Sequence, residues 1–375
     1  MSETCDALVL GGGGAGCSAA LHLARRGLRV ILLERGLVGG QASGVNYGGV
    51  RQQGRHAAEL PIARRSREMW GRMREIAGTD AEFTVTTHLK LARNAAEEAE
   101  LVAYLDVARD YGLSLRMVGS NSIHLEYPWL SKSVVAGSLS PEDGSANPRL
   151  LAPALAHAAR AAGAVICEGA SIVEYAHAGG VFLLRAEDGR EFRAPLLLNV
   201  AGFWGGAVAE AFGEKVPIEP LSPNMMVTEP LPYFITPNIG VVGGNVYLRQ
   251  IPRGNVIIGG GHGESDPSRP WSRALPEVSL QTQAYAVALV PELAGAHVIR
   301  SWSGIDGVTP DRLPVIGPSR TMPGLFHAFG FSGAGFQLGP AIGAIMTELM
   351  VDHATDVPLA PFRIDRFQAA AGDTP

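Results

Sequence analysis

Residues 7–34, ALVLGGGGAGCSAALHLARRGLRVILLE, constrain this chain more than any other stretch, because they read as strand, glycine turn, helix, second strand and terminal acid in unbroken order. The apolar run Ala7 to Leu10 is short and bounded by glycine, as suits a buried parallel strand. Gly11, Gly13 and Gly16 follow on the GxGxxG spacing. In that pattern the first glycine permits the tight turn, the second lets the backbone approach a pyrophosphate, and the third lets the helix pack closely on the strand. Amides at the helix start then face the phosphates. Glu34 closes the second strand 18 residues after Gly16. A carboxylate there accepts the hydroxyls of an adenosine ribose and argues against a 2'-phosphate, hence against NADP. With 47 glycines in 375 residues the spacing alone arises easily by chance. The strand, helix, second strand and acid around it give it meaning.

Length and 46% hydrophobic residues allow two domains with sizeable cores. The formal net charge of −5 gives no electrostatic case for nucleic acid as a partner. The Arg-rich stretch Arg64 to Arg74 also holds Glu68 and Glu75, and reads as a solvated helix face. Cys5, Cys17 and Cys167 are odd in number and form no CxxC pair. That excludes a disulfide framework and any zinc or iron–sulfur site of ordinary spacing, so no metal is expected. It also suits a reducing, cytoplasmic address. No basic segment followed by an apolar one precedes Gly11, and no uncharged run of about 18 residues follows, so neither a leader nor a transmembrane segment is expected.

The chain does not continue after Glu34 as an ordinary NAD-binding half. GLVGGQASGVNYGGVRQQ is a glycine-rich loop carrying Arg51, Gln52 and Gln53, able to lie against a large planar ligand. Residues 97–111 have helical apolar spacing, and a turn-rich passage with Pro128, Pro141 and Pro148 follows. Leu150 to Ala162 reads as a helix, Ala164 to Glu168 as a strand, and Val181 to Ala186 with Glu191 to Ala194 as a hairpin around Asp188-Gly189. The strand Leu196 to Val200 ends in a second glycine turn, NVAGFWGG, where the nucleotide domain resumes. Strands at Val241 to Val242, Val246 to Leu248 and Val256 to Ile258, with one helix over 277–290, suit a second, largely antiparallel domain. A strand at Leu325 to Ala328, a glycine turn and a helix from Gly339 to Met350 close the pattern. The expected division is a discontinuous FAD-binding domain of residues 1–84, 147–215 and 304–366, and a substrate domain of residues 85–146 and 216–303.

Taken together, VLGGGGAGCSAALHLARRGLRVILLE, ASGVNYGGVR, NVAGFW, VYLR, WSGIDGVTPDRLPVIG and GFSGAGFQLGPAIG resemble the FAD-dependent D-amino-acid oxidase superfamily, in its glycine oxidase and sarcosine oxidase branch. The resemblance covers almost the whole chain. GVNYGGVRQQ, TPDRLPVIG and GFSGAGFQLGP look most like the flavin subunits of dye-linked proline, D-hydroxyproline and opine dehydrogenases. It implies an α/β fold, a Rossmann-like FAD-binding domain beside a mixed or antiparallel-sheet substrate domain. It also implies one bound FAD. Gly11, Gly13, Gly14, Ala15, Gly16, Glu34 and Arg35 would then hold the AMP half, Val173 would sit near adenine, and Ala201, Gly202 and Trp204 would follow the pyrophosphate. Ala42, Ser43, Gly49, Val50 and Arg51 would approach the isoalloxazine. Gly304, Gly330, Ser332, Gly333, Gly335, Phe336 and Gln337 would line its pyrimidine edge, where amides and a helix dipole stabilise negative charge at N1 and O2.

Three departures refine this. The covalently flavinylated sarcosine oxidases attach the ring through a Cys shortly before the TxD stretch, and the C-terminal half here has none, so noncovalent FAD is expected. Those oxidases place a Lys on the strand resembling Asn255 to Gly261, where this chain has Ile257 or Ile258, and Lys90, Lys132 and Lys215 lie elsewhere. Without that cation the resemblance favours a dehydrogenase over an oxidase. The substrate-carboxylate Arg of glycine oxidase falls at about Asp306, and the Lys of sarcosine oxidase at about Gln337. Arg249, in the Tyr247 to Gln250 strand, and Arg51 are the remaining arginines on flavin-facing segments, so Arg51, Tyr247 and Arg249 are the candidate catalytic positions. Alternatively Arg51 only packs on the flavin and Arg249 pairs with an acid. His56, His262 and His327 read as structural, and Asp311 as a turn cap or hydrogen-bond partner.

The resemblance implies oxidation of a secondary amine or amino acid of the proline, hydroxyproline or opine type, by hydride transfer to flavin N5, to an imine that water hydrolyses. The alternatives are an oxidase releasing hydrogen peroxide, and a flavin subunit active only with an additional electron-transfer subunit.

Overall fold

The computed structural model of the chain describes residues 2–367. Its first layer is a six-stranded sheet in the order Val315–Pro318, Leu325–Phe329, Leu196–Asn199, Ala7–Leu10, Val30–Leu33, Val165–Cys167. All neighbours are parallel except the first pair. The unbroken apolar runs of the central strands follow from burial on both faces. Ala7, Val9, Val30 and Leu32 face a helical layer, whereas Leu8, Leu10, Ile31 and Leu33 face a four-stranded sheet of Ser2–Thr4, Glu191–Ala194, Val181–Ala186 and Ile172–Ala178.

The helical layer is Gly14–Arg25 flanked by Pro148–Ala161 and Gly335–Val351, with Leu60–Gly71 against the last of these. Gly335–Val351 begins a turn before the expected start at Gly339 and carries Pro340 inside it, at the loss of one helical amide. The Arg64 to Arg74 stretch is not simply a solvated face. Ser66 and Trp70 are buried and donate to the Gln337 carbonyl, and Arg65 pairs with Glu348.

A second lobe is built on an eight-stranded sheet in the order Val298–Trp302, Pro223–Pro230, Asn255–His262, Tyr247–Gln250, Asn238–Val241, His88–Ala92, Ala136–Ser140, Arg116–Gly119. Only Asn238–Val241 with His88–Ala92 is parallel. The strands expected at 241–242 and 246–248 lie instead at 238–241 and 247–250, because Gly243 and Gly244 both take positive φ and make the turn between them. Two short antiparallel pairings join the lobes: Gly49–Val50 with Gly144–Ser145, and Glu219–Leu221 with Asp306–Val308. Among the described residues no helix is long and apolar enough to cross a membrane.

Candidate active site

One cavity of about 1030 Å³ runs from the glycine turn after the first strand to the inner face of the eight-stranded sheet. At its nucleotide end the turn is as tight as the sequence requires. Gly11 has φ +122, and a Cβ there would lie 2.4 Å from the Val200 carbonyl oxygen; one on Gly16 would lie 1.9 Å from that of Gly11. Ser43 Oγ accepts from the Gly14 amide at 2.9 Å, and a Gly13 Cβ would lie 2.9 Å from the same oxygen, so backbone and hydroxyl leave a bare cradle at the helix start. The first amides of Gly14–Arg25 have no carbonyl a turn below them. Glu34 takes the amides of Gly12 and Gly36, each at 2.7 Å, and each oxygen keeps a lone pair for a ribose hydroxyl. Arg35 lies 4.0 Å over the Trp204 ring, and burial holds its guanidinium below the ordinary value.

These features fit the ADP half of FAD. Of the expected contacts, Gly11, Gly13, Gly14, Ala15, Glu34, Arg35, Ala42, Ser43, Gly49, Arg51, Ala201, Gly202, Trp204, Gly304, Ser332, Gly333, Gly335 and Phe336 line the cavity. Six positions do not. Gly16 and Val50 are buried behind it, Gly330 sits in the turn beneath with φ +72, and Val173 is 53% exposed while Ser171, Ile172 and Tyr175 line the wall instead. Gln337 is fully buried, donating to the Ala63 carbonyl. The sixth is Arg249. Its Nε donates to the Tyr47 carbonyl at 2.8 Å and its Nη2 to that of Ala146 at 3.1 Å, so among the described residues it pairs with no acid and instead braces the Tyr47 loop. Arg249 is 6% exposed and burial holds its guanidinium below the ordinary value.

Beyond the cradle the loop 42–55 lines one side of the cavity. Asn46 takes the Gly48 amide and donates to the Ala42 and Ser43 carbonyls, closing the short helix Ala42–Val45. Trp302 Nε1 donates to the Val45 carbonyl, and a Gly304 Cβ would meet Val45 at 2.0 Å. Asp306 accepts from Gly307 at 2.8 Å and from Gly333 at 2.7 Å, and burial pushes its carboxyl up. The Gly333 amide, expected to face the flavin edge, is turned to Asp306 instead. Tyr47 and Tyr247 meet edge to face, ring centres 5.0 Å apart, and both line the cavity. The Tyr47 hydroxyl is buried and has no partner among the described residues. Burial raises both phenols, that of Tyr247 to about 12.

Arg51 is half-buried in the cavity wall, and among the described residues its guanidinium makes one hydrogen bond, from Nη1 to the Gln53 carbonyl. Three further basic residues share that wall: Arg55 and His88, which the sequence does not single out, and Lys90, which it places elsewhere and which the pairing of His88–Ala92 with Asn238–Val241 brings to the cavity. Burial and then the Arg51 charge push Arg55 down to about 10 and hold the Lys90 amine below its ordinary value. His88, pushed well down by burial and then by Arg51, is neutral. Because Gln53 Nε2 donates to the Ser138 carbonyl, its oxygen accepts, and His88 Nδ1 carries the proton at 2.8 Å. His262 lines the cavity, His56 caps a short helical turn, and His327 lies outside, fully buried. Asp311 accepts from the Leu313 amide and pairs with Arg366 at 2.7 Å.

Comparison with known proteins agrees with this geometry. Residues 6–349 match the family described as FAD dependent oxidoreductase. The chain belongs to that family, and its cofactor is FAD. Similar proteins include the glycine oxidase of Geobacillus kaustophilus, 27% identical over 99% of this chain and 100% of that one. Hydrogen cyanide synthase subunit HcnC of Pseudomonas aeruginosa is 25% identical over 98% of this chain and 97% of that one. Among solved structures, L-proline dehydrogenase from P. horikoshii superposes with a TM-score of 0.91 at 26% identity, covering 99% of both chains.

Proposed function

We propose that the chain is an FAD-dependent dehydrogenase that oxidises the C–N bond of a secondary amine or amino acid, of the proline, hydroxyproline or opine type, to an imine. Two of the relatives named above, a glycine oxidase and an L-proline dehydrogenase, support the broader class of amine and amino-acid oxidoreductase. The carrying observation is Arg51, a guanidinium facing the cavity with no acid paired to it among the described residues, lining the same cavity as Tyr47 and Tyr247. Noncovalent FAD is supported by the absence of cysteine from the cavity lining.

Bound in the cradle, FAD supplies a two-electron acceptor. Arg51 offers its fork to a substrate carboxylate and so fixes which C–H bond is presented. The phenols of Tyr47 and Tyr247, raised by burial, stay protonated at neutral pH and act as donors to the same carboxylate, not as bases. The positive wall of Arg51 and Lys90 favours the neutral amine over the ammonium, which keeps the nitrogen lone pair available without a dedicated base. The amine loses two electrons and two protons. Water then adds across the C=N bond, supplying the carbonyl oxygen.

The test is anaerobic loss of the oxidised flavin's visible absorbance against D- and L-proline, hydroxyproline, sarcosine, glycine and opines, followed by admission of air. Bleaching that persists in air is the expected result; bleaching by no amine overturns the assignment. One observation favours a second reading, an oxidase releasing hydrogen peroxide. Lys90 does reach the cavity, and a cation there stabilises charge developing on oxygen. Rapid recolouring with peroxide would select it. The resemblance to a subunit of a larger enzyme supports a further electron-transfer subunit as partner, and copurification tests it.

A further inference from the structure

The wall beside Arg51 carries more positive charge than one amino-acid carboxylate can meet. Lys90 comes from the strand His88–Ala92 of the second lobe, and its amine reaches the turn Gln53–Gly54. Lys90 Nζ and Arg51 Nη1 lie 3.5 and 3.3 Å from the point a Gly54 Cβ would occupy, so the two cations are close neighbours. Arg55 stands behind them, with Nε on the Arg51 carbonyl at 3.4 Å. Among the described residues no carboxylate forms an ion pair with any of the three. Three acids act on them from a distance: Asp143 accepts the Gln52 and Gln53 amides, Glu59 accepts the His56 amide through Oε2 and lies toward Arg55, and Glu100, which acts on Lys90, is exposed to solvent. His88, the fourth basic side chain, is neutral and bonded to Gln53.

Half-buried cations without counter-charge are costly unless a ligand supplies it. A single carboxylate on the Arg51 fork leaves the Lys90 charge uncompensated, and its three N–H donors unmet. Lys90 is a point charge on a flexible stem and pairs with any anionic oxygen; in the proposed amine oxidation the anions a substrate carries are carboxylates.

We infer that the cavity is built for an amine carrying two carboxylates, Arg51 holding one and Lys90 the other. The substrate class is then the iminodicarboxylates and N-carboxyalkyl amino acids. This rests on the amine-oxidising reading for its chemistry, and oxidation follows the same balance, yielding an oxo acid and an amino acid after water adds. The second anion site itself stands on the cation geometry alone.

The test therefore uses ligands that cannot be oxidised. Glutarate, with two carboxylates, and butyrate, with one, are titrated calorimetrically into the FAD-loaded protein. Glutarate should bind at least about tenfold more tightly. Lys90→Gln should bring the ratio of the two affinities to within about threefold of one, and Lys90→Arg should restore it. Equal affinities in the wild type, as when one carboxylate bridges both cations, overturn the inference. So does a ratio that survives in Lys90→Gln. If glutarate keeps its preference but no amine bleaches the flavin, the oxidation reading fails and the dianion site remains.

Discussion

Arg51 and Glu214 are both withdrawn from solvent, and their surroundings assign them opposite tasks. Among the described residues the Arg51 guanidinium makes one hydrogen bond, to a carbonyl two residues on, and leaves the rest of its fork to the cavity. Replacing it by Lys keeps the charge and removes the planar fork, so KM for a carboxylate substrate should rise about tenfold or more with a smaller change in kcat; equal falls in both would place Arg51 elsewhere in the reaction. Glu214 is saturated instead. Its fully buried carboxylate accepts from His327 Nε2 at 3.0 Å, Ser319 Oγ at 2.6 Å and the Arg320 amide at 2.7 Å. Asn199 Nδ2 donates to His327 Nδ1 and Gly205, which leaves the His327 proton on Nε2, aimed at Glu214. Burial alone would raise this carboxyl, but the donors hold it below the ordinary carboxylate range. Its stabilising contribution is therefore complete at neutral pH and disappears as pH falls through that lowered value. Glu214→Gln should cost about 2–3 kcal/mol near neutrality and flatten the acid limb of a Tm-against-pH curve. An unchanged limb would mean that other carboxylates carry it.

Elements whose partners lie close in sequence are the ones a reader of the sequence can place. The strand–turn–helix–strand of residues 7–34 forms in the register its spacing requires, and so does the hairpin around Asp188-Gly189. The early start of Gly335–Val351 is hidden, because glycine and Pro340 look like breakers until the packing is seen. Gly339 and Gly343 lie against Gly14–Arg25: a Gly343 Cβ would be 2.3 Å from Ser18 Oγ and 2.4 Å from the Ala19 amide nitrogen. Ser18 Oγ also donates to the Pro340 carbonyl at 2.8 Å. The spacing GPAIG puts both glycines on one helical face, which is a signal the sequence does carry. Gly343→Ala, helpful in an ordinary exposed helix, should here cost about 1–3 kcal/mol by forcing the two helices apart. Chemical denaturation reads it, and a stabilised variant would show that the interface yields without strain.

Across the whole molecule the basic wall of the cavity joins residues 51, 55, 88 and 90, whose proximity is decided by three long-range pairings and not by any motif. His88–Ala92 is set in place by Asn238–Val241 on one side and Ala136–Ser140 on the other, while the loop after Gly49–Val50 is held by Gly144–Ser145. That is why Lys90 reads from the sequence as lying elsewhere, and why Arg249 reads as a clamp although its donors go to backbone carbonyls. Asp143 is the joint between these parts. It is fully buried between the strands Ala136–Ser140 and Gly144–Ser145, and takes the Gln52 amide at 2.8 Å and the Gln53 amide at 3.1 Å, fixing the turn from which Arg51 and Arg55 project. Asp143→Asn would set an amide N–H against one of those donors. The turn should then shift while the glycine cradle, made by other residues, stays intact. The expected outcome is full FAD content with KM raised about tenfold, close to 1.4 kcal/mol of lost binding, and little change in kcat. Loss of FAD instead would mean that Asp143 supports the cradle and not the basic wall, and an unchanged KM would mean that the pairing Gly49–Val50 with Gly144–Ser145 alone positions Arg51.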